Sequence, residues 1–171
     1  KRPVFPKRAV ITAGMPYGNK ELHFGHIGGM FVHADTYARF LRDRIGAENV
    51  IFVSGTDCYG SPILESFRKL KESGNTEHKD ITEYVESNHI KQKKTLDEYE
   101  ISLNHFGASG LYKDKEIHRQ VSNEVFETLY KSGYLSVMST PQFFDPKLQI
   151  LLNGRQVEGR CPFEGCGSDK A

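Results

Sequence analysis

The spacing of apolar residues changes once in the first fifty positions, and that change marks out a strand, a loop and a helix. Ala9 to Ala13 (AVITA) is a short run rich in β-branched residues, the pattern of a buried strand. Gly14 to Lys20, with its Gly, Pro and Asn, predicts a loop. From Gly25 onward, Ile27, Met30, Phe31, Ala34, Ala38 and Leu41 recur at intervals of three and four, so one face of a helix is apolar to about Arg44. Gly46 ends it. Val50 to Ser54 (VIFVS) predicts the next strand and Gly55 to Gly60 the turn after it. Pro62 then fits the first turn of a helix running to Ser73, with Gly74 as its stop.

Strand, loop, helix and strand in this order form a βαβ unit, whose two strands should lie parallel in one sheet. The expected fold class is therefore α/β, a doubly wound parallel (Rossmann-like) sheet. Asp80 to Glu100 and Asp114 to Lys131 carry apolar residues at helical spacing, and Gly133 closes the second of these helices. After Tyr134 the pattern changes again. Tyr134 to Met138 and Gln149 to Leu152 read as strands on either side of the turn-like Asp145-Pro146. A domain boundary is expected near Thr140, dividing the chain into 1–140 and 141–171.

Composition narrows the class without naming a function. No apolar run approaches the ~20 residues of a membrane helix, and the basic, Pro-containing N-terminal stretch lacks the apolar centre of a signal peptide. An odd number of cysteines, 3, argues against a disulfide framework and fits a reducing, cytoplasmic location. With a net charge of +1, any nucleic-acid-binding surface has to be local.

The candidate chemistry begins with His23-Phe24-Gly25-His26, after the first strand's loop and at the start of the first helix. In an open parallel sheet, ligands lie beyond the carboxyl ends of the strands, where loops meet helix N-termini. Free N–H groups and a partial positive charge there suit phosphate. Two imidazoles three residues apart project to one side, and both can donate to phosphate oxygens. Gly25 between them lets a base or phosphate approach the backbone. The plainer alternative is a pair of surface or helix-capping histidines.

The segment Ala13 to Gly29 (AGMPYGNKELHFGHIGG) resembles the first signature of class I aminoacyl-tRNA synthetases, usually written HIGH. Pro16-Tyr17 followed by Asn19 is similar to the P-Y-x-N that leads into that signature in the methionyl enzymes. Ala34-Asp35, Tyr37-Ala38-Arg39 and Arg42 match their A-D-x-Y-A-R-x-x-R run. The resemblance implies that Asn19, His23, Gly25 and His26 bind ATP, with His23 and His26 stabilising the attacked phosphate. It also implies that Met15 and Tyr17 line the methionine end of the pocket.

A second constellation, Gly55-Thr56-Asp57-Cys58-Tyr59-Gly60-Ser61-Pro62-Ile63, closes the second strand. Asp57 there suits either an ammonium partner in a mostly apolar pocket or an N-cap for the following helix. Its likeness to the methionyl family's G-T-D-x-x-G-x-P-I implies the first role, holding the α-amino group of methionine. Cys58 departs from that family's usual residue and reads as a small, half-buried side chain rather than a reactive thiol.

Cys161 and Cys166 are four residues apart on a glycine-rich turn. They fit half of a tetrahedral zinc site, or a pair of simple reduced thiols. Gly159-Arg160-Cys161-Pro162 is similar to the G-x-C-P that opens the zinc knuckle of the methionyl family's inserted connective domain, though C-x4-C is longer than the usual C-P-x-C. The resemblance thus implies that 141–171 begins that domain, with Zn2+ held partly by Cys161 and Cys166.

The implied activity is ATP-dependent activation of methionine, with magnesium accompanying ATP, and transfer to tRNA(Met). The family's KMSKS motif is not found in these 171 residues, so the chain is expected to carry half of an active site. Two rivals stand beside this reading. One is a class I synthetase for isoleucine, leucine, valine or cysteine; the other is a non-catalytic nucleotide- or RNA-binding module of the same fold.

Overall fold

The computed structural model describes residues 4–147, 149–152, 154, 157, 159, 163 and 166. Three strands, β1 (Ala9–Thr12), β2 (Val50–Thr56) and β3 (His105–Ala108), form one parallel sheet in the order β1-β2-β3. This is the α/β class that the βαβ pattern predicts.

The crossover from β1 to β2 is one continuous helical run in three parts. It comprises α1 (Phe24–His26), a π-helical segment (Ile27–Phe31) and α2 (Val32–Ile45). Gly46 ends it at φ 91°, a left-handed position that glycine takes without strain. Helices α3 (Ser61–Glu72) and α4 (Ile81–Glu98) cross from β2 to β3, and α5 (Tyr112–Lys131) follows. Pro62 lies in the first turn of α3, and Asp80 caps α4 by accepting from the Glu83 N–H at 3.0 Å.

One face of the sheet carries the core. Val50, Phe52 and Thr56 of β2 and Phe106 and Ala108 of β3 alternate inward, and register pairs Ile11 with Phe52. Ile27, Phe31 and Ala38 from the first crossover and Leu96 from α4 close over them, all nearly inaccessible. A second cluster joins Ile63 of α3, Tyr84 and Val85 of α4, Ala108 and Leu111. On the other face Val10 and Ile51 are exposed.

Two expectations need correction. The strand read over Tyr134 to Met138 does not form. Tyr134, Val137 and Met138 are solvent-exposed, so a strand there would have no buried face to fix its register. In contrast, β3 (HFGA) was not foreseen, because a His and a Gly in four residues hide its alternation. The antiparallel pair β4 (Phe143–Asp145) and β5 (Ile150–Leu152) forms across the Asp145-Pro146 turn.

By its internal contacts the chain divides into two compact units, 1–126 and 127–171. No helix among the described residues is long and apolar enough to cross a membrane.

Candidate functional site at the carboxyl ends of the strands

Two places bring sequence-predicted residues together: the start of the crossover helix after β1, with His23 and His26, and the ends of β1 and β2, where Tyr17 meets Asp57. At the first, His23 and His26 cap one helix end reciprocally. The Gly25 N–H donates to Nδ1 of His23 at 3.1 Å, and the His23 N–H donates to Nδ1 of His26 at 3.2 Å. A ring nitrogen that accepts a backbone N–H carries no proton of its own. In each neutral ring the proton therefore sits on Nε2, which is left free to donate. The two rings stack with centroids 3.8 Å apart.

Burial, the neighbouring His23 and the charge of Lys20 together push the pKa of His26 down, which favours its neutral form. The π-helical segment with Gly28 and Gly29 follows directly, an irregularity often found at functional sites. A methyl group on Gly25 would lie 3.0 Å from both Nδ1 and Cε1 of His23, so this glycine makes room for the His23 ring.

At the second place, Tyr17 and Asp57 form an isolated parallel bridge beyond β1 and β2. The Asp57 N–H donates to the Pro16 carbonyl and the Gly18 N–H to the Asp57 carbonyl, each at 2.8 Å. The Asp57 carboxylate accepts from the Tyr59 N–H at 3.0 Å. It does not cap α3, whose N-cap is Gly60 at φ 110°.

Asn19 turns its amide toward α3, donating to Oγ of Ser66 at 3.1 Å. Its Oδ1 is buried with no hydrogen-bond partner among the described residues. Met15, half-exposed, borders an open cleft of about 330 Å³ on the second face of the sheet, lined also by His105, Gly107, Asp114, Ile117 and Val121. Sequence reasoning missed this cleft, because it depends on β3. Cys58 is half-buried, and burial pushes its thiol pKa up, which disfavours the thiolate. Cys166 is an exposed free thiol, whereas Cys161 lies outside the described residues. Among the described residues no cluster of three or more metal-ligating side chains occurs.

The model of a protein family described as tRNA synthetases class I (M) matches residues 9–171. The chain belongs to this family. It is 35% identical over 166 residues to a methionine–tRNA ligase of Cytophaga hutchinsonii, a match covering 97% of this chain and 22% of that protein. A methionine–tRNA ligase of Parabacteroides distasonis is 32% identical over 165 residues, covering 96% and 22%. One from Pyrococcus abyssi is 35% identical over 162 residues, covering 95% and 20%. The chain thus spans about a fifth of the length of these relatives. Membership of the class I (M) synthetases is consistent with the α/β fold and its parallel sheet.

Proposed function

We propose that the complete protein activates methionine with ATP and transfers it to tRNA(Met). The observation that carries this reading is the reciprocal cap at His23 and His26, in which Nδ1 of each stacked ring is used by the backbone and Nε2 is left for a ligand at a helix start. The names of the relatives support methionine over isoleucine, leucine, valine or cysteine.

In the first step a carboxylate oxygen of methionine attacks the α-phosphorus of ATP. The bond from that phosphorus to the bridging oxygen breaks, and pyrophosphate leaves with that bond's electron pair. His23 and His26 donate from Nε2 to the phosphate oxygens as charge builds on them, and they require no proton transfer to do so. Asn19 and Gly25 belong to the same ATP-facing segment. Asp57 pairs with the substrate ammonium beside Tyr17, and Met15 offers a soft apolar contact for the thioether. Magnesium, arriving with ATP, neutralises phosphate charge. A ribose hydroxyl of the tRNA's 3′-terminal adenosine then attacks the aminoacyl carbonyl, the bond from that carbon to the phosphate oxygen breaks, and AMP leaves with its electron pair.

In this reading 1–140 is the first half of a doubly wound nucleotide-binding domain of a cytoplasmic enzyme, and 141–171 begins a connective domain. Cys161 and Cys166 would give zinc two of the four ligands that a structural site requires. Metal analysis of the complete protein, purified without chelator, is expected to find stoichiometric zinc; none would make both cysteines ordinary thiols. ATP–pyrophosphate exchange with each amino acid in turn tests the activity itself. Exchange that depends on methionine supports the reading, and exchange with another amino acid or with none overturns it.

A further inference from the structure

The loop that carries Tyr17 and Asn19 is gripped by a single stripe of α4. The carbonyls of four successive residues, 17 to 20, each accept a hydrogen bond from Tyr84, Asn88 or Gln92, which stand at i, i+4 and i+8 on that helix. Gln92 makes two of the four bonds. Its Nε2 donates to the carbonyls of Tyr17 and Lys20, each at 2.9 Å, and its Oε1 accepts from Oγ1 of Thr56 at 2.7 Å. Nδ2 of Asn88 donates to Gly18 at 3.1 Å, and the Tyr84 hydroxyl donates to Asn19.

Thr56 spends its one proton on Gln92, so toward His89, 2.8 Å away, it can only accept. His89 therefore donates from Nδ1. The chain runs His89 to Thr56 to Gln92, and Gln92 and Thr56 are both fully buried. Through Thr56 the stripe also reaches the residue immediately before Asp57. One amide thus ties together the loop behind the His pair and the end of β2.

Core packing alone does not call for this. Buried amides are costly unless every donor is satisfied, and here both donors of Gln92 are spent on loop carbonyls. Resting on the functional reading above, we propose that Gln92 is a positioning residue. It fixes the backbone of the loop over Tyr17 to Lys20 against Asp57, so that the amino-acid and ATP contacts are held in one geometry.

The test is amide hydrogen exchange on the complete protein and on its isosteric Gln92→Met variant, together with single-turnover adenylate formation. The amides of Gly18 and Asp57, which bond across the bridge, are expected to exchange about tenfold faster or more in the variant, with β3 amides unchanged. The activation rate at saturating methionine and ATP should fall about tenfold or more. Thr56→Val should show the same pattern at smaller amplitude. Unchanged exchange at Gly18 and Asp57 overturns the proposal. So does uniform loss of protection, a rate per folded molecule equal to wild type, or failure of both variants to fold. Exchange is read without substrate. Local loosening in a protein that activates no amino acid would therefore sink the functional reading while leaving the grip on the loop intact.

Discussion

His23 and His26 face each other with ring centroids 3.8 Å apart, and each ring uses Nδ1 to accept a backbone N–H from the same turn. Capping and phosphate binding, which looked like competing explanations of this pair, are therefore compatible in one side chain. Nδ1 serves the fold and Nε2 remains for a ligand. Replacing either histidine by Ala in the complete protein is expected to slow adenylate formation by about 10²–10³, the usual effect of removing one preorganised donor. Methionine affinity should change little. Rapid-quench measurement of both constants separates the two effects, and rates within about threefold of wild type would remove the pair from the chemistry.

Asp57→Asn isolates the carboxylate's charge. An Asn at this position keeps an oxygen to accept the Tyr59 N–H, now 3.0 Å from the carboxylate, so the turn should persist. Methionine affinity is expected to fall by about 1.5–3 kcal/mol, the worth of a hydrogen bond to a charged group. Calorimetric titration with methionine measures this directly, and unchanged affinity would leave Asp57 as a turn residue only.

Gly18 sits where a side chain does not fit. A methyl group there would lie 2.8 Å from Cγ1 of Val85 and 3.0 Å from Cγ2 of Thr56, between α4 and the end of β2. Gly18→Ala is expected to cost about 1–3 kcal/mol by overpacking. A lower unfolding midpoint in denaturant, at unchanged slope, would establish it; an equal midpoint would mean that the loop has slack.

Stability should weaken as pH falls below neutrality. Burial first, then the His23 and Lys20 charges, lowers the pKa of His26, and burial lowers that of His89. Above the ordinary histidine value of about 6.5 both groups are neutral, folded or unfolded, and contribute no pH dependence. Below it the unfolded chain binds protons first, so stability declines from that value down through the lowered folded ones. Protonated His26 would also lose its Nδ1 acceptor. The pKa of Asp35 is lowered too, and it acts at lower pH: burial opposes its ionisation, but the Ser102 and Arg39 hydrogen bonds outweigh burial, so its contribution to stability is also lost as pH falls. Thermal midpoints measured from about pH 7.5 to 5.5 should fall, and fall less in His26→Gln. A flat profile would contradict the assigned shifts.

Elements with local signals can be read from the residues alone. Periodicity in Ile27 to Leu41, β-branching in Ala9 to Ala13 and Val50 to Ser54, and glycines at positions 46, 74 and 133 with φ of 91°, 80° and 76° fixed the βαβ order and the helix ends. His23-Phe24-Gly25-His26 directly precedes the periodic stretch and Asp57 follows the second strand, so the candidate residues were legible too. Tertiary structure alone decided three things. β3 exists because β2 offers it a ladder from Val53 to Thr56, a partnership that four residues containing His and Gly do not announce. Tyr134 to Met138, strand-like in composition, has no such partner among the described residues and stays irregular. The grip of Tyr84, Asn88 and Gln92 on the carbonyls of residues 17 to 20 joins positions 65 to 75 apart in sequence. Polar residues on one helical stripe look like a solvated face until another segment is laid across them, because a hydrogen bond's partner is set by proximity in space, which no local pattern encodes.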